Sequence, residues 1–113
     1  DRYLFFAKFN DELVGMVAAY KEDGERLSHI AYIWGVYVRE EFRGKGIGKK
    51  LMEMLFAELQ KNNVAKASLN VNTVQSNAVK LYESLGFQTI GIAHKEMKID
   101  GKYYDEYLME KMF

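Results

Sequence analysis

Alternating apolar and polar side chains predict six β-strands in this chain. The strand-like segments are rich in β-branched and aromatic residues and cover residues 3–10, 13–20, 28–38, 67–71, 87–99 and 102–113. The segment 28–38 is apolar on both faces, which is typical of a strand covered on two sides. Asp100-Gly101 joins the last two strands and is a strong hairpin signal.

Two other segments have helical spacing of their apolar residues. The first covers residues 47–62 and carries Ile47, Leu51, Met54, Leu55 and Leu59. The second follows Ser76, which we expect to cap it, and stops at Gly86. Its apolar positions repeat at i, i+3, i+4 and i+7 and are Ala78, Leu81, Tyr82 and Leu85.

This order of elements predicts the fold class. Three antiparallel strands are followed by a helix, a strand, a helix and a two-stranded hairpin, so helices connect strands across a mixed, mostly antiparallel sheet. The expected fold is α/β (α+β), with helices flanking the sheet. With 113 residues and no proline, low-complexity tract or repeat, we expect one domain over residues 1–113.

The composition excludes several classes of protein. Hydrophobic residues make up 49%, which rules out a disordered chain, and 16 basic residues balance 16 acidic ones. No overall field therefore attracts nucleic acid or an anionic membrane. The chain has no cysteine and two histidines, so we expect no disulfide, thiolate zinc site or cysteine nucleophile, and no metal. No apolar run reaches the roughly 20 residues that span a bilayer, and a cytosolic location is expected.

The segment before the first helix holds the chemistry. Gly44, Gly46 and Gly48 lie between a strand and a long helix. Backbone N–H groups at a helix start lack partners within the helix and bind phosphate well, and glycines let a phosphate approach them. Cations flank the glycines at Arg43, Lys45, Lys49 and Lys50. The alternative is that these glycines only make a tight turn and that the lysines are solvated.

Two other phosphate-binding loops do not fit this segment. A nucleotide P-loop requires a second glycine followed by Lys-Ser/Thr, and no such run follows Gly44. A dinucleotide loop that begins at Gly44 or Gly46 requires glycine where Lys49 or Leu51 stands.

Arg43-x-x-Gly46-x-Gly48 resembles the pyrophosphate-binding motif Arg/Gln-x-x-Gly-x-Gly/Ala of the GCN5-related N-acetyltransferase (GNAT) family. Residues 77–87 resemble the other GNAT signature, Asn-x-x-Ala-x-x-Leu-Tyr-x-x-x-Gly-Phe, and the last hairpin is similar to that of many members. The resemblance runs from Leu4 to the end. The family usually begins with a strand and two helices, to which nothing here corresponds, so we expect an N-terminally incomplete domain.

The resemblance implies acetyl-CoA as the acyl donor and a set of residues that hold it. The backbones of Val36 and Val38 would bind its pantetheine arm. The pyrophosphate would be bound by backbone amides, with Arg43 in support. Asn77 would contact the pantetheine or phosphate region, or is merely tolerated in the first turn of its helix. The amides are those of Gly44, Lys45, Gly46, Ile47, Gly48 and Lys49.

The resemblance also implies a catalytic residue, Tyr82. When an amine attacks the thioester, the leaving thiolate must be protonated or hydrogen-bonded, and a tyrosine hydroxyl does this. The alternative is a core tyrosine, since Tyr82 lies on the apolar stripe of its helix.

The general base stays unassigned, because segment 28–38 has no carboxylate and His29 lies at its far end. The alternatives are a water chain and a residue of the N-terminal part that the family usually has. Further candidates on the last hairpin, where a solvated strand face is the more ordinary explanation, are His94, Glu96, Asp105 and Glu106.

The expected function is therefore direct transfer of an acetyl group from acetyl-CoA to an amine, without a covalent enzyme intermediate. The acceptor is left open between small molecules and proteins. The alternatives are a non-catalytic acyl-CoA-binding or regulatory domain of the same fold and a plain oligomerisation module. The long last hairpin leaves a strand edge exposed, which predicts a homodimer.

Overall fold

The computed structural model describes all 113 residues. Six strands and two α-helices follow one another in the predicted order. The elements are β1 (Arg2–Phe9), β2 (Glu12–Lys21), β3 (Ile30–Val38), α1 (Ile47–Lys61), β4 (Lys66–Asn72), α2 (Ser76–Ser84), β5 (Gln88–Ile99) and β6 (Lys102–Met112). A short 3₁₀ turn at Glu40–Phe42 precedes α1.

The strands form one six-stranded sheet in the order β1-β2-β3-β4-β6-β5. Neighbours β1 and β2, β2 and β3, and β5 and β6 pair antiparallel. The predicted α+β fold with a mixed, mostly antiparallel sheet is confirmed. The chain divides into two compact units, residues 1–67 with Phe113 and residues 68–112.

In the first unit, α1 packs against β1, β2 and β3. Its buried side chains recur every three or four residues, as an amphipathic helix requires. Gly15 of β2 lets the helix approach the sheet closely, because a Cβ there would lie 3.2 Å from Leu51 Cδ1 and 3.2 Å from the carbonyl oxygen of Tyr37. The buried side chains of α1 are Leu51, Met52, Leu55, Phe56 and Leu59.

Three expectations about this unit were wrong in detail. Met54 was placed on the apolar stripe of α1, but its side chain is 44% exposed and Met52 is buried instead. The third strand starts at Ile30 because Ser28 and His29 lie in a turn, in which the Ile30 N–H donates to the Leu27 carbonyl at 2.9 Å. Nor is β3 covered on both faces, since Trp34 is 52% exposed.

The second unit contains α2 and the β5–β6 hairpin. Asp100 and Gly101 form the hairpin turn with φ of 50° and 77°, as a two-residue turn of this type requires. Ser76 does not cap α2: it is the first helical residue, and the N-cap is Gln75, without a side-chain hydrogen bond. The loop before α2 is closed by Asn72, whose Oδ1 accepts a 3.0 Å hydrogen bond from the Val74 N–H. The buried core of this unit includes Leu69, Val71, Tyr82, Leu85, Phe87 and Met109.

Neither α-helix is long and apolar enough to cross a membrane.

Candidate functional site

The end of β3 directs selected backbone groups away from β2. The Arg39 N–H donates to the Val14 carbonyl oxygen at 2.8 Å, so this facing pair is hydrogen-bonded. Val38 faces Gly15, and Val36 faces Val17, at the alternate, non-hydrogen-bonded positions of the ladder. Residues at such positions point their N–H and C=O groups to the opposite edge of their strand. The backbone groups of Val36 and Val38 therefore point away from β2, to the side on which β4 is the next strand of the sheet.

The loop after β3 is held in a defined shape. The Arg43 Nε donates a 2.9 Å hydrogen bond to the Val38 carbonyl oxygen, and so ties the loop back to the strand. Gly44 and Gly46 have φ of 76° and 81°, a conformation that costs other residues about 1–2 kcal/mol. A Cβ built on either glycine would meet no atom within 4 Å, so the space around both is open. The loop thus needs glycine for its backbone conformation, and the open space suits a ligand.

The first turn of α1 presents unpaired backbone donors. Gly46 is the N-cap, so no side chain caps the helix, and the first turn contains no acidic residue. The first intrahelical hydrogen bond is donated by the Lys50 N–H to the Gly46 carbonyl oxygen at 3.0 Å. The amides of Ile47, Gly48 and Lys49 have no hydrogen-bond acceptor in the protein. Unpaired N–H groups at the positive end of a helix are a general arrangement for binding anions, and this helix start has three of them.

Tyr82 lies in the second unit, on α2. Its side chain is 7% exposed, and its ring meets that of Phe87 edge-on at a centroid distance of 6.0 Å. The hydroxyl has no hydrogen-bond partner in the protein, yet no buried side-chain oxygen is unpaired, so this oxygen keeps contact with solvent. Burial raises the pKa of Tyr82 above its usual value of 10.0. The hydroxyl therefore stays protonated at neutral pH and is free to donate.

Asn77 is exposed in the first turn of the same helix. The spacing of the second signature, counted back from Ala78, Leu81 and Tyr82, places its asparagine at Gln75 rather than at Asn77. Gln75 is the N-cap of α2. The cofactor contact expected of Asn77 stays a prediction, and Gln75 is a second amide side chain in a position to make it.

The four candidate bases on the hairpin differ in their surroundings. Register shifts in β5 between Ala93 and Met97 leave His94, Lys95 and Glu96 opposite Asp105. The Asp105 carboxylate accepts a 2.9 Å hydrogen bond from the Lys95 N–H and lies 3.1 Å from His94 Nδ1. These two contacts, in that order, lower the pKa of Asp105.

His94 and Asp105 thus form a pair that the amino-acid pattern did not indicate. Glu96 is exposed and Glu106 is half-buried, and neither has a charged partner. The side chain of His29 is exposed, and its carbonyl oxygen accepts hydrogen bonds from the Ala65 and Lys66 N–H groups. No group of three or more His, Cys, Asp or Glu side chains is arranged to hold a metal ion.

The comparison with known families decides the classification. Residues 1–87 match the family described as Acetyltransferase (GNAT) family. This chain belongs to the GNAT acetyltransferases. The match contains the whole of the glycine loop, α1 and α2.

Relatives of this GNAT chain include acetyltransferases from several organisms. It is 33% identical to N-alpha-acetyltransferase 60 of Xenopus tropicalis, over 72% of this chain and 41% of that protein. It is 39% identical to the [Ribosomal protein bS18]-alanine N-acetyltransferase of Escherichia coli (strain K12), over 50% of this chain and 38% of that protein. The chain thus spans less than half the length of these relatives.

A solved structure has the same fold. The acetyltransferase of GNAT family from Streptococcus pneumoniae superposes with a TM-score of 0.92 at 26% sequence identity, over 99% of this chain and 67% of that one. Within this GNAT fold, the structure brings Val36, Val38, Arg43 and the glycine loop together in the first unit. Tyr82 and Asn77 lie in the second unit.

Proposed function

We propose that this domain transfers an acetyl group from acetyl-CoA to an amine, by direct attack of the amine on the thioester. The observation that carries the proposal is the glycine loop at the start of α1, which presents three unpaired amides and follows a strand end whose Val36 and Val38 backbone groups point away from β2. Membership of the GNAT family supports the same reaction.

The donor's phosphates and its pantetheine arm fit different parts of the first unit. The amides of Ile47, Gly48 and Lys49 offer three donors to the pyrophosphate, and the open space at Gly44 and Gly46 admits it. The amides of Gly44, Lys45 and Gly46 complete the proposed loop, with Arg43 as a supporting cation. The N–H groups of Val36 and Val38 and the C=O group of Val36 suit the amide-containing pantetheine arm, which binds like an added strand. The Val38 carbonyl oxygen already accepts the hydrogen bond from Arg43 Nε.

Tyr82 is the proposed proton donor. The amine nitrogen attacks the thioester carbonyl carbon, a C–N bond forms and the C–S bond breaks. The thiolate takes a proton from the Tyr82 hydroxyl, which is reprotonated from solvent, while the proton of the amine leaves to water. Since the hydroxyl of Tyr82 has no partner in the protein and its pKa is raised by burial, it holds its proton until the thiolate forms. In net terms one proton moves from nitrogen to sulfur.

The acceptor is proposed at the level of a class. The names of two relatives describe acetylation at an α-amino position or on an alanine of a ribosomal protein. A peptide with a free α-amino group is therefore the first acceptor to test, followed by small primary amines. A cytosolic location, where such acceptors and acetyl-CoA occur together, is part of the proposal.

Two measurements test the proposal. Coenzyme A at a hundredfold excess over its dissociation constant should stabilise the fold by about 2.7 kcal/mol, seen as an upward thermal shift. Release of free thiol from acetyl-CoA in the presence of an α-amino peptide should exceed release in its absence. A folded protein with no thermal shift at millimolar CoA would exclude the proposal. A shift without amine-dependent thiol release favours the alternative, a non-catalytic acyl-CoA-binding domain.

A further inference from the structure

One aromatic ring next to the glycine loop contacts two cations. Phe42 ends the 3₁₀ turn before the loop, and its ring lies 5.4 Å from that of Phe9 at the end of β1. The Arg39 Cζ lies 5.8 Å from the centroid of the Phe42 ring, and the Lys45 Nζ lies 5.6 Å from it. Both distances are within the range of attractive cation–π contacts.

The two cations differ in their other partners. The guanidinium of Arg39 donates to Glu12 Oε2 at 3.0 Å and to Glu41 Oε2 at 2.8 Å, so two carboxylates balance its charge. The ammonium of Lys45 has no carboxylate partner or side-chain hydrogen bond, and the ring that it contacts is that of Phe42. Of the two, Lys45 is therefore the charge that remains available to an anion.

The backbone fixes the ring and turns the lysine towards it. The Phe42 N–H donates to the Arg39 carbonyl oxygen at 2.9 Å, and the Phe9 ring packs on the same side chain. Lys45 stands between Gly44 and Gly46, which both have positive φ. These two residues fold the chain sharply, so the side chain of Lys45 reaches the ring three positions earlier.

We propose that Phe42 is a positioning residue that holds the Lys45 ammonium beside the amides of α1 for the donor's phosphates. The proposal rests on the proposed function, since it assumes that this loop binds the phosphates of CoA. A ring attracts a cation through its face and uses none of the N–H donors, which stay free for phosphate oxygens. A lysine that is already held loses less side-chain freedom when the anion binds.

The test replaces the ring and measures affinity for CoA by isothermal titration. Phe42→Leu keeps apolar contact with Phe9 but removes the aromatic face, and we expect the dissociation constant for CoA to rise about two- to fivefold. The KM for acetyl-CoA should rise with it while kcat stays nearly unchanged. Phe42→Trp, which retains an aromatic face, should restore affinity. Tyr103→Leu is the matched control, because Tyr103 contacts Lys95 and Lys98 in the same way on the β5–β6 hairpin and should not alter CoA affinity.

A double-mutant cycle shows whether Phe42 acts through Lys45. In a Lys45→Met background, Phe42→Leu should cause no further loss of affinity. The proposal is overturned if Phe42→Leu binds CoA as the wild type does, if it binds more tightly because Lys45 is released, or if the two losses add. Lower melting temperature without a change in affinity likewise overturns it. Absence of CoA binding to the wild type is a different result, since it removes the proposed function and this inference together.

Discussion

The Arg43 Nε donates a 2.9 Å hydrogen bond to the backbone carbonyl oxygen of Val38. The bond joins the first residue of the glycine motif to the last residue of β3, and so fixes the loop relative to the strand. It also uses a carbonyl that points away from β2, on the edge where the proposed ligand arm binds. Arg43 thus holds the loop to the strand, and this is separable from its proposed role as a cation near the phosphates.

Two substitutions of Arg43 separate the effect of its hydrogen bond to Val38 from the effect of its positive charge. Arg43→Met should weaken CoA binding roughly fivefold, since a lost hydrogen bond of this kind is worth about 1 kcal/mol. Arg43→Lys keeps a cation but not the planar Nε donor, and we expect it to lose nearly as much affinity. Isothermal titration with CoA measures both. Wild-type affinity in the lysine variant would show that only the charge matters.

Alanine substitutions at two glycines distinguish the cost of backbone strain from a loss of ligand binding. Gly46→Ala and Gly24→Ala each place alanine at a positive φ, 81° and 90°, in open space. Each should cost about 1–2 kcal/mol of stability in urea unfolding without ligand. Only Gly46→Ala should also weaken CoA binding, because Gly24 lies in the β2–β3 loop. An equal loss of CoA affinity in both variants would mean that the effect is general destabilisation.

The Asp105 carboxylate gives the β5–β6 hairpin a pH dependence. Its pKa is lowered from 3.8, first by the Lys95 N–H and then by His94. A lowered pKa in the folded state means that the stabilisation is complete above about pH 3.8 and is lost as the pH falls through the lowered value. Asp105→Asn should therefore lower the melting temperature by a few degrees at pH 7, and by less below pH 3.8. Glu96→Gln, which removes an exposed carboxylate without a partner, should have no such effect.

Local patterns predicted the elements well because each depends on neighbouring residues. Helix α1 begins at Ile47 as its apolar spacing indicated, and Asp100-Gly101 makes the expected turn. The features that were missed depend on contacts between distant parts of the chain. The irregularity at Lys95, with φ of 53°, is held by Asp105 on the neighbouring strand, and no local pattern marks it.

The candidate site also combines features that depend on neighbouring residues with features that depend on contacts between distant parts of the chain. The glycine loop and the helix after it could be predicted, because both depend on neighbouring residues, whereas anion binding by this loop stays a prediction. The contact between Phe42 and Phe9 joins the loop to β1, and the spacing of residues along the sequence does not predict it. The partnerless hydroxyl of Tyr82 is likewise a property of packing, and the apolar stripe of α2 favoured a core residue equally. Both interpretations agree with the structure, and the catalytic role of Tyr82 stays a prediction.

The outer strand of the sheet supports the predicted homodimer. β5 is at one end of the strand order, and Ile90, Ile92 and Met97 on it are 59%, 48% and 45% exposed. An exposed apolar edge strand tends to pair with another chain. Light scattering should give twice the chain mass of 13.1 kDa. Ile92→Glu should shift the mass to that of a monomer, whereas a monomeric wild type at high concentration would contradict the prediction.

Tyr82→Phe tests the proposed proton donor. The change keeps the ring and its edge-on contact with Phe87 and removes only the hydroxyl. Because that hydroxyl has no partner in the protein, no hydrogen bond is lost, and the melting temperature should stay close to that of the wild type. CoA affinity should change little, since the proposed phosphate site is the glycine loop of the first unit. The rate of thiol release should fall about 10²–10⁴-fold, the usual contribution of a positioned proton donor.

The pH dependence of the same pair of proteins completes this test. Because burial raises the pKa of Tyr82 above 10.0, its hydroxyl keeps its proton up to that pH. The wild-type rate should therefore not fall below pH 10.0 through deprotonation of Tyr82. The stability contributed by the protonated ring is complete below pH 10.0 and is lost as the pH rises through the raised pKa. Tyr82→Phe should therefore resist alkaline unfolding better than the wild type. A variant that keeps the wild-type rate would show that Tyr82 is a core residue, and that water or another group protonates the thiolate.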